Sequence, residues 1–151
     1  MAIFDVLFEF SDAQSVASSA QSTDILDWGS GMTGLEMGAG EPIYLNVQVE
    51  VAAAAGTSLT VDLLNADSTN IDNGTEGTNY KTCWSSGAIP QANLTAGAWI
   101  GRIALPVGCD DYRYLGLQYT ASGTLTSCTV NAWLDHGPQS SYDTQVATSN
   151  I

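Results

Sequence analysis

The sequence predicts an all-β fold, an antiparallel sandwich or barrel. Apolar residues recur at every second position in several short segments, which is typical of strands that bury one face. Glycine and proline turn signals separate these segments, and no window of about 11 residues or more has a helical period. About seven or eight such segments favour a β-sandwich. Since 151 residues is the size of one ordinary domain, we expect residues 1–151 to form a single domain.

The alternation is clearest in residues 43–51. The odd-numbered positions are all isoleucine, leucine or valine, whereas the even-numbered positions are Tyr44, Asn46, Gln48 and Glu50. Weaker versions of the pattern predict further strands at 59–63, 98–105, 112–119 and 124–135. We expect each of these segments to be a half-buried antiparallel strand.

Three other parts of the chain complete the predicted layout. Residues 3–10 also alternate and predict a first strand that has its phenylalanines on one face. Residues 11–42 are polar, rich in glycine and poor in β-branched residues, so we expect a long excursion across the surface. Residues 136–151 are expected to form an extended C-terminal arm.

The charge of the chain limits its partners. Sixteen acidic residues stand against three basic ones, Lys81, Arg102 and Arg113, and the net charge is −13. So few cations cannot neutralise a run of phosphates, and we expect neither nucleic acid nor an anionic membrane surface as a partner. No segment approaches the roughly 18 apolar residues that cross a bilayer, and residues 1–10 lack the basic region of a signal peptide.

The three cysteines indicate a reducing compartment. Cys83, Cys109 and Cys128 are odd in number and have no C-x-x-C spacing, which favours free thiols. A bridge between Cys109 and Cys128 remains possible if their strands are neighbours. Together with a single histidine, these residues do not form a zinc-binding pattern.

The sequence does not predict an enzyme. A Ser-His-Asp arrangement would have to use His136, which follows Asp135 at the end of a strand, and no G-x-S-x-G motif presents a serine. The acids needed for glycoside hydrolysis cannot be placed from sequence, and most of them fall on polar strand faces or in loops. We therefore expect no catalytic residues.

The segment from Asp67 to Gly74 is rich in oxygen ligands and suggests calcium. It lacks the D-x-D-x-D-G spacing and the glutamate at the twelfth position of a calcium loop. An Asx-rich turn between two strands is the favoured interpretation. Since no phosphate-binding glycine motif occurs either, we expect no metal and no cofactor.

The tryptophans leave two kinds of binding surface open. Trp99 is in phase with Ile103 and Leu105, so we expect it in the core, with Arg102 opposite. Trp133 lies on the other face from the core residues of its strand, which predicts exposure. An exposed tryptophan is typical of a sugar-stacking platform, for which Trp84 or Trp133 would serve, or of a protein interface. The sequence gives the two alternatives similar weight.

Several short segments, spread in order along nearly the whole chain, resemble a known family. They are Ser11-Asp-Ala-Gln14, Ser22-Thr-Asp-Ile-Leu-Asp-Trp-Gly29, Ile89-Pro90, Leu94-Thr-Ala-Gly97, Arg113-Tyr-Leu-Gly-Leu-Gln-Tyr-Thr120, Gly123-Thr-Leu125 and Val130-Asn-Ala132. In this order and spacing the chain resembles the capsid cement (decoration) proteins of tailed bacteriophages, in particular the family typified by the cement protein of a Bordetella phage.

This resemblance implies a fold and a structural function. It implies a jelly-roll domain, made in the bacterial host cytoplasm, that sits on the outer capsid surface of the virion. There it would bridge major capsid subunits and stabilise the mature shell. The implied partners are the major capsid protein and the chain itself, as a homodimer rather than a trimer. The alternative is a carbohydrate-binding β-sandwich module of a phage fibre or surface protein.

Overall fold

The computed structural model describes residues 6–29 and 42–136, which form ten β-strands and two short 3-10 turns. The strands are β1 Glu9–Ser15, β2 Ala20–Gln21, β3 Leu26–Asp27, β4 Tyr44–Val51, β5 Ser58–Ala66, β6 Tyr80–Ser85, β7 Ile89–Pro90, β8 Trp99–Ala104, β9 Tyr114–Ser122 and β10 Thr129–Asp135. The 3-10 turns are Val6–Phe8 and Gln91–Asn93. Within these two stretches of chain, no helix is long and apolar enough to span a membrane.

The strands form two antiparallel sheets that pack as a sandwich. One sheet has the order β1-β10-β4-β8. The other has the order β2-β9-β5-β6, and in addition β3 pairs with β9 and β7 pairs with β5. The predicted all-β antiparallel sandwich is therefore confirmed. The jelly-roll connectivity and the single domain over residues 1–151 stay predictions.

The core lies between the two sheets and follows the predicted alternation. Every second residue of the central strands is fully buried, namely Leu45, Val47 and Val49 on β4, Leu59, Val61 and Leu63 on β5, and Leu115, Leu117 and Tyr119 on β9. On the side of β10, Val130, Ala132 and Leu134 close the layer. Each buried aliphatic side chain of this kind stabilises the fold by about 1.5–3 kcal/mol.

The described part of residues 11–42 does not form the predicted surface excursion. β1 continues to Ser15 along β10, and β2 and β3 both pair with β9. Val16 and Ser22 are buried. Two register shifts in β1 interrupt its alternation, and β2 and β3 have only two residues each, so no period of two is visible in the sequence. Residues 30–41 and the predicted arm beyond residue 136 lie outside the described residues.

Buried hydroxyl groups fasten this N-terminal segment to the core. Ser11 Oγ donates to Gln14 Oε1 at 2.6 Å, and it lies 2.8 Å from the Tyr119 hydroxyl, which is therefore the donor in that pair. Burial raises the pKa of Tyr119 well above its ordinary value. Ser22 Oγ accepts from the Leu117 amide at 3.0 Å. Such pairing offsets the cost of burying polar groups.

The first strand begins later than predicted. Residues Val6–Phe8 form a 3-10 turn and β1 starts at Glu9, which lies opposite Trp133. Because β10 ends at Asp135, only two residues beyond Trp133, a longer β1 would run past the end of its partner. Residues 1–5 lie outside the described part of the chain.

The loop between β5 and β6 forms the predicted Asx-rich connection. Asp67 Oδ2 accepts from Asn79 Nδ2 at 3.0 Å, and Asn79 Oδ1 accepts from the Thr75 amide at 3.1 Å. Ile71 is fully buried and packs beside Gly116, where an added Cβ would lie 3.0 Å from Ile71 Cδ1. The loop therefore covers part of the outer face of the six-stranded sheet.

A tryptophan fills the gap between β6 and β8, which belong to different sheets. The Trp84 ring lies so close to the β8 backbone that a Cβ added at Gly101 would be 2.7 Å from Cη2. Gly101 itself is buried, and it pairs with Val47 on the core side of β4. Only a residue without a side chain allows this approach.

We expect Gly101→Ala to lower the free energy of unfolding by about 1–3 kcal/mol, because the new methyl group overlaps the Trp84 ring. Urea denaturation measures this change. In the double variant with Trp84→Leu, the methyl group finds space, so its cost should be smaller than in the wild-type background. Equal costs in both backgrounds would contradict the proposed contact.

An ion pair links β3 to the start of β9. Arg113 donates through Nε and Nη2 to the two carboxylate oxygens of Asp27, each at 2.6 Å, and the Gly29 amide donates to Oδ1 at 2.8 Å. These hydrogen bonds lower the pKa of Asp27 from 3.8 to about 2. Since the pKa is lowered on folding, the pair stabilises the protein above about pH 4, and this contribution is lost as the pH falls toward 2.

The carboxyl titration of Asp27, followed by NMR, should have its midpoint near pH 2. In Arg113→Gln the midpoint should rise toward 3.8, because the guanidinium hydrogen bonds are the main cause of the lowered pKa. Arg102→Gln removes the same charge elsewhere and serves as the control. A midpoint that does not move in Arg113→Gln would show that the ion pair is absent in solution.

Candidate interaction surface

The outer face of the four-stranded sheet carries the candidate site. Strand register brings Glu9, Trp133, Asn46 and Arg102 into one row across β1, β10, β4 and β8. The neighbouring row consists of Asn131, Gln48 and Trp99. Residues directly opposite each other in an antiparallel sheet point to the same side. We call the cluster of Trp99, Arg102 and Trp133 the tryptophan–arginine surface.

A bulge in β8 places Trp99 on this outer face. Val47 pairs with Gly101, but the next residue, Gln48, pairs with Trp99, so Ile100 is an extra residue on β8. Each residue of a strand points to the side opposite its neighbour, and one extra residue reverses this order. The prediction that Trp99 belongs to the core is therefore wrong, and Trp99 shares its face with Arg102.

The two indole rings and the guanidinium are in direct contact. The Trp99 and Trp133 ring centroids are 5.9 Å apart and the planes make an angle of 63°, an edge-to-face arrangement. Arg102 Cζ lies 4.4 Å from the Trp99 centroid, within the range of a cation–π interaction. Trp133 Nε1 donates to Asp135 Oδ2 at 3.3 Å. These contacts hold the exposed groups in one arrangement.

The two tryptophans differ in exposure, in the reverse of the predicted order. Trp99 is 42% exposed, whereas Trp133 is only 9% exposed. Trp133 does lie on the outer face as predicted, but its neighbours on the sheet, among them Trp99, cover it. Trp99 and Arg102 are thus the parts of the cluster that a partner can reach.

The charges around the cluster are mainly acidic. Glu9 lies next to Trp133 across the strands, and Asp135 accepts its hydrogen bond. Partial burial, together with the charges of Asp12 and Asp24, raises the pKa of Glu9. Arg102 adds a positive charge to this face. Lys81 and Arg113 lie elsewhere, in ion pairs with Asp111 and Asp27.

The structure does not bring together the histidine, cysteines and acids that the sequence analysis considered for catalysis or metal binding. His136 is exposed at the end of β10, next to Asp135. In the described part of the chain, no cluster of three or more metal-ligating side chains occurs. Cys83, Cys109 and Cys128 are all free, as predicted, and the Cys109–Cys128 bridge that the sequence left open is not formed.

Fold and surface together define a class of protein. It is a small acidic β-sandwich with a rigid sheet face that carries tryptophan and arginine, residues enriched in the energetic centres of protein interfaces. The Bbp16 family model matches residues 10–134, from β1 to β10. The chain belongs to this Bordetella phage protein family, which confirms the resemblance found in the sequence. No curated protein matches the chain.

Truncating the two tryptophans should have unequal effects on stability. Trp133→Ala removes a nearly buried ring and should lower the free energy of unfolding by about 3 kcal/mol. Trp99→Ala removes a ring that is 42% exposed and should cost less, about 1 kcal/mol. Urea denaturation of both variants tests this order. A larger cost for Trp99→Ala would mean that the bulge does not direct this ring outward.

Proposed function

We propose that the protein is a structural, non-catalytic virion component, a capsid cement protein that binds the major capsid protein on the outer surface of the shell. The observation that carries this proposal is the tryptophan–arginine surface on the sheet of a Bordetella phage family member. An exposed indole beside a guanidinium is the composition expected at the centre of a protein interface. The chain provides few other exposed large apolar side chains among its described residues.

The rigidity of the face supports this role. Trp99 is held by ring contacts to Trp133 and Arg102, and β8 beneath it is fixed by the Trp84 ring against Gly101. A partner that binds to preformed groups loses little additional conformational entropy. A rigid block that bridges two subunits also resists changes in the distance between them.

Mass action explains how such binding stabilises a shell. A protein that binds only the mature lattice stabilises it by about 2.7 kcal/mol per site at a hundredfold excess over the dissociation constant. Many equivalent sites multiply this effect. Each specific contact should bury about 1,000 Å² or more, so residues beyond the tryptophan–arginine surface would take part.

The proposed assembly unit is a homodimer. β8 and β1 are the outer strands of the four-stranded sheet in the described part of the chain. Unpaired strand edges are the usual means by which sheets join, and two identical edges related by a two-fold axis form a closed pair. Light scattering on the purified protein distinguishes a dimer from a trimer.

Other side chains or the backbone cover much of the two tryptophan rings, Trp84 and Trp133, that the sequence analysis considered for sugar stacking. Trp133 is nearly buried, and Trp84 packs against Gly101. The remaining exposed ring, Trp99, has Arg102 over it. These contacts favour a protein partner over a carbohydrate.

Shells decorated with the protein should release their DNA at a higher temperature than bare shells, because binding stabilises the mature lattice. Fluorescent-dye detection of DNA during heating measures this release temperature.

The double variant Trp99→Ala/Arg102→Gln should bind shells at least tenfold more weakly in co-sedimentation, as expected for loss of about 1.4 kcal/mol or more at an interface centre.

Val107→Ala is the matched control, since Val107 is an exposed apolar residue in the connection after β8, outside the tryptophan–arginine surface. It should bind as the wild type does. Equal release temperatures for bare and decorated shells would reject the cement role. Equal binding of both variants would reject this surface as the contact, while leaving the role to another face.

A further inference from the structure

Two cysteine thiols from distant parts of the sequence meet at the edge of the core. Cys83 lies on β6 and is half-buried, whereas Cys109 lies in the connection from β8 to β9 and is 2% exposed. The two side chains lie within interacting distance of each other, and both are free thiols. Cys83 is the extra residue of a bulge, since the pairing with β5 moves directly from Thr82 to Trp84.

Hydrogen bonds on both sides of Cys109 hold it against β6. Lys81, two residues before Cys83, donates to the Gly108 carbonyl at 3.0 Å. The same ammonium forms an ion pair with Asp111 at 2.7 Å. Gly108 and Asp111 flank Cys109 in the sequence, so Lys81 fastens the segment that carries this thiol to the strand that carries the other.

The environment gives the two thiols different reactivity. The interaction with the Cys83 side chain and burial raise the pKa of Cys109, which therefore keeps its proton near neutral pH. Cys83 is the more exposed of the two, so a small oxidant reaches it first. The pKa of Lys81 is raised, chiefly by its hydrogen bond to Asp111, and the ammonium also interacts with both sulfur atoms.

We propose that Cys83 and Cys109 are a site of oxidative modification, where a peroxide converts the thiol pair into an intramolecular disulfide. The Cys83 thiolate attacks one oxygen of hydrogen peroxide, the O–O bond breaks, and the released hydroxide takes a proton to leave as water. The Cys109 sulfur then attacks the sulfenic sulfur of Cys83, the S–O bond breaks, and a second water leaves with the Cys109 proton. Two thiols are oxidised by two electrons in total, and one peroxide is reduced to two waters.

The disulfide would enclose residues 84–108, which contain β7 and β8. It would tie the six-stranded sheet to the connection that follows β8, the strand that carries Trp99 and Arg102. Cross-linking restricts the unfolded chain and so stabilises the fold. A protein made in a reducing cytoplasm would gain this stabilisation after release into an oxidising medium. The inference is independent of the proposed capsid role.

The test treats the reduced, purified protein with hydrogen peroxide, then blocks the remaining thiols with iodoacetamide in denaturant and measures mass. We expect one alkylated cysteine where the reduced protein has three, a loss of two hydrogen atoms, and a linked peptide that joins Cys83 to Cys109. The melting temperature should rise by roughly 5–10 °C on oxidation.

Three variants sharpen the result. Cys83→Ser and Cys109→Ser should each keep both remaining thiols and show no rise in melting temperature. Cys128→Ala is the matched control, because Cys128 immediately precedes β10 of the other sheet, and it should lose both of its thiols. Three alkylated cysteines after peroxide treatment, sulfinic acid on Cys83 with Cys109 still alkylated, or a bridge that involves Cys128 or a second chain would each overturn the proposal.

Discussion

The register of β4 between β10 and β8 is the constraint on which the rest of the structure depends. Val47 points into the core, and Asn46 and Gln48 point outward. Each residue of β10 and β8 that pairs with one of these points to the same face of the sheet as its partner. A slip by one residue would place the valines in water and the polar side chains in the core. With three fully buried aliphatic residues on β4, such a slip would cost on the order of 5 kcal/mol or more.

The bulge at Ile100 affects both the core and the outer face of the four-stranded sheet. On the core side, Gly101 stays opposite Val47 and accepts the Trp84 ring. Two residues earlier on β8, Trp99 lies on the outer face, where it contacts Arg102 and Trp133. The packing that closes the gap between the sheets and the tryptophan–arginine surface therefore depend on the same irregularity in one strand.

The sequence predicted the sandwich wherever strands are long and regular. The alternation of β4, β5 and β10 is visible because their partners run the full length beside them. The prediction from sequence failed for the described part of residues 11–42, where short strands and register shifts hide the period of two. It also failed for Trp99, because a bulge moves a side chain to the other face of the sheet without changing the composition of the strand. It could not foresee the meeting of Cys83 and Cys109, since that contact depends on how a loop folds back onto β6. A bulge could have been suspected from Gly101, because glycine inside a strand is typical of one.

The net charge of the chain determines the electrostatic surroundings of the tryptophan–arginine surface. A net charge of −13 makes copies of the chain repel one another and raises the cost of bringing any acidic surface close. On the four-stranded sheet, Arg102 lowers the local negative potential at the point where Trp99 offers apolar area. The positive charge and the apolar area lie at the same place, and acids surround them; for the proposed protein partner, this arrangement would favour one orientation over others.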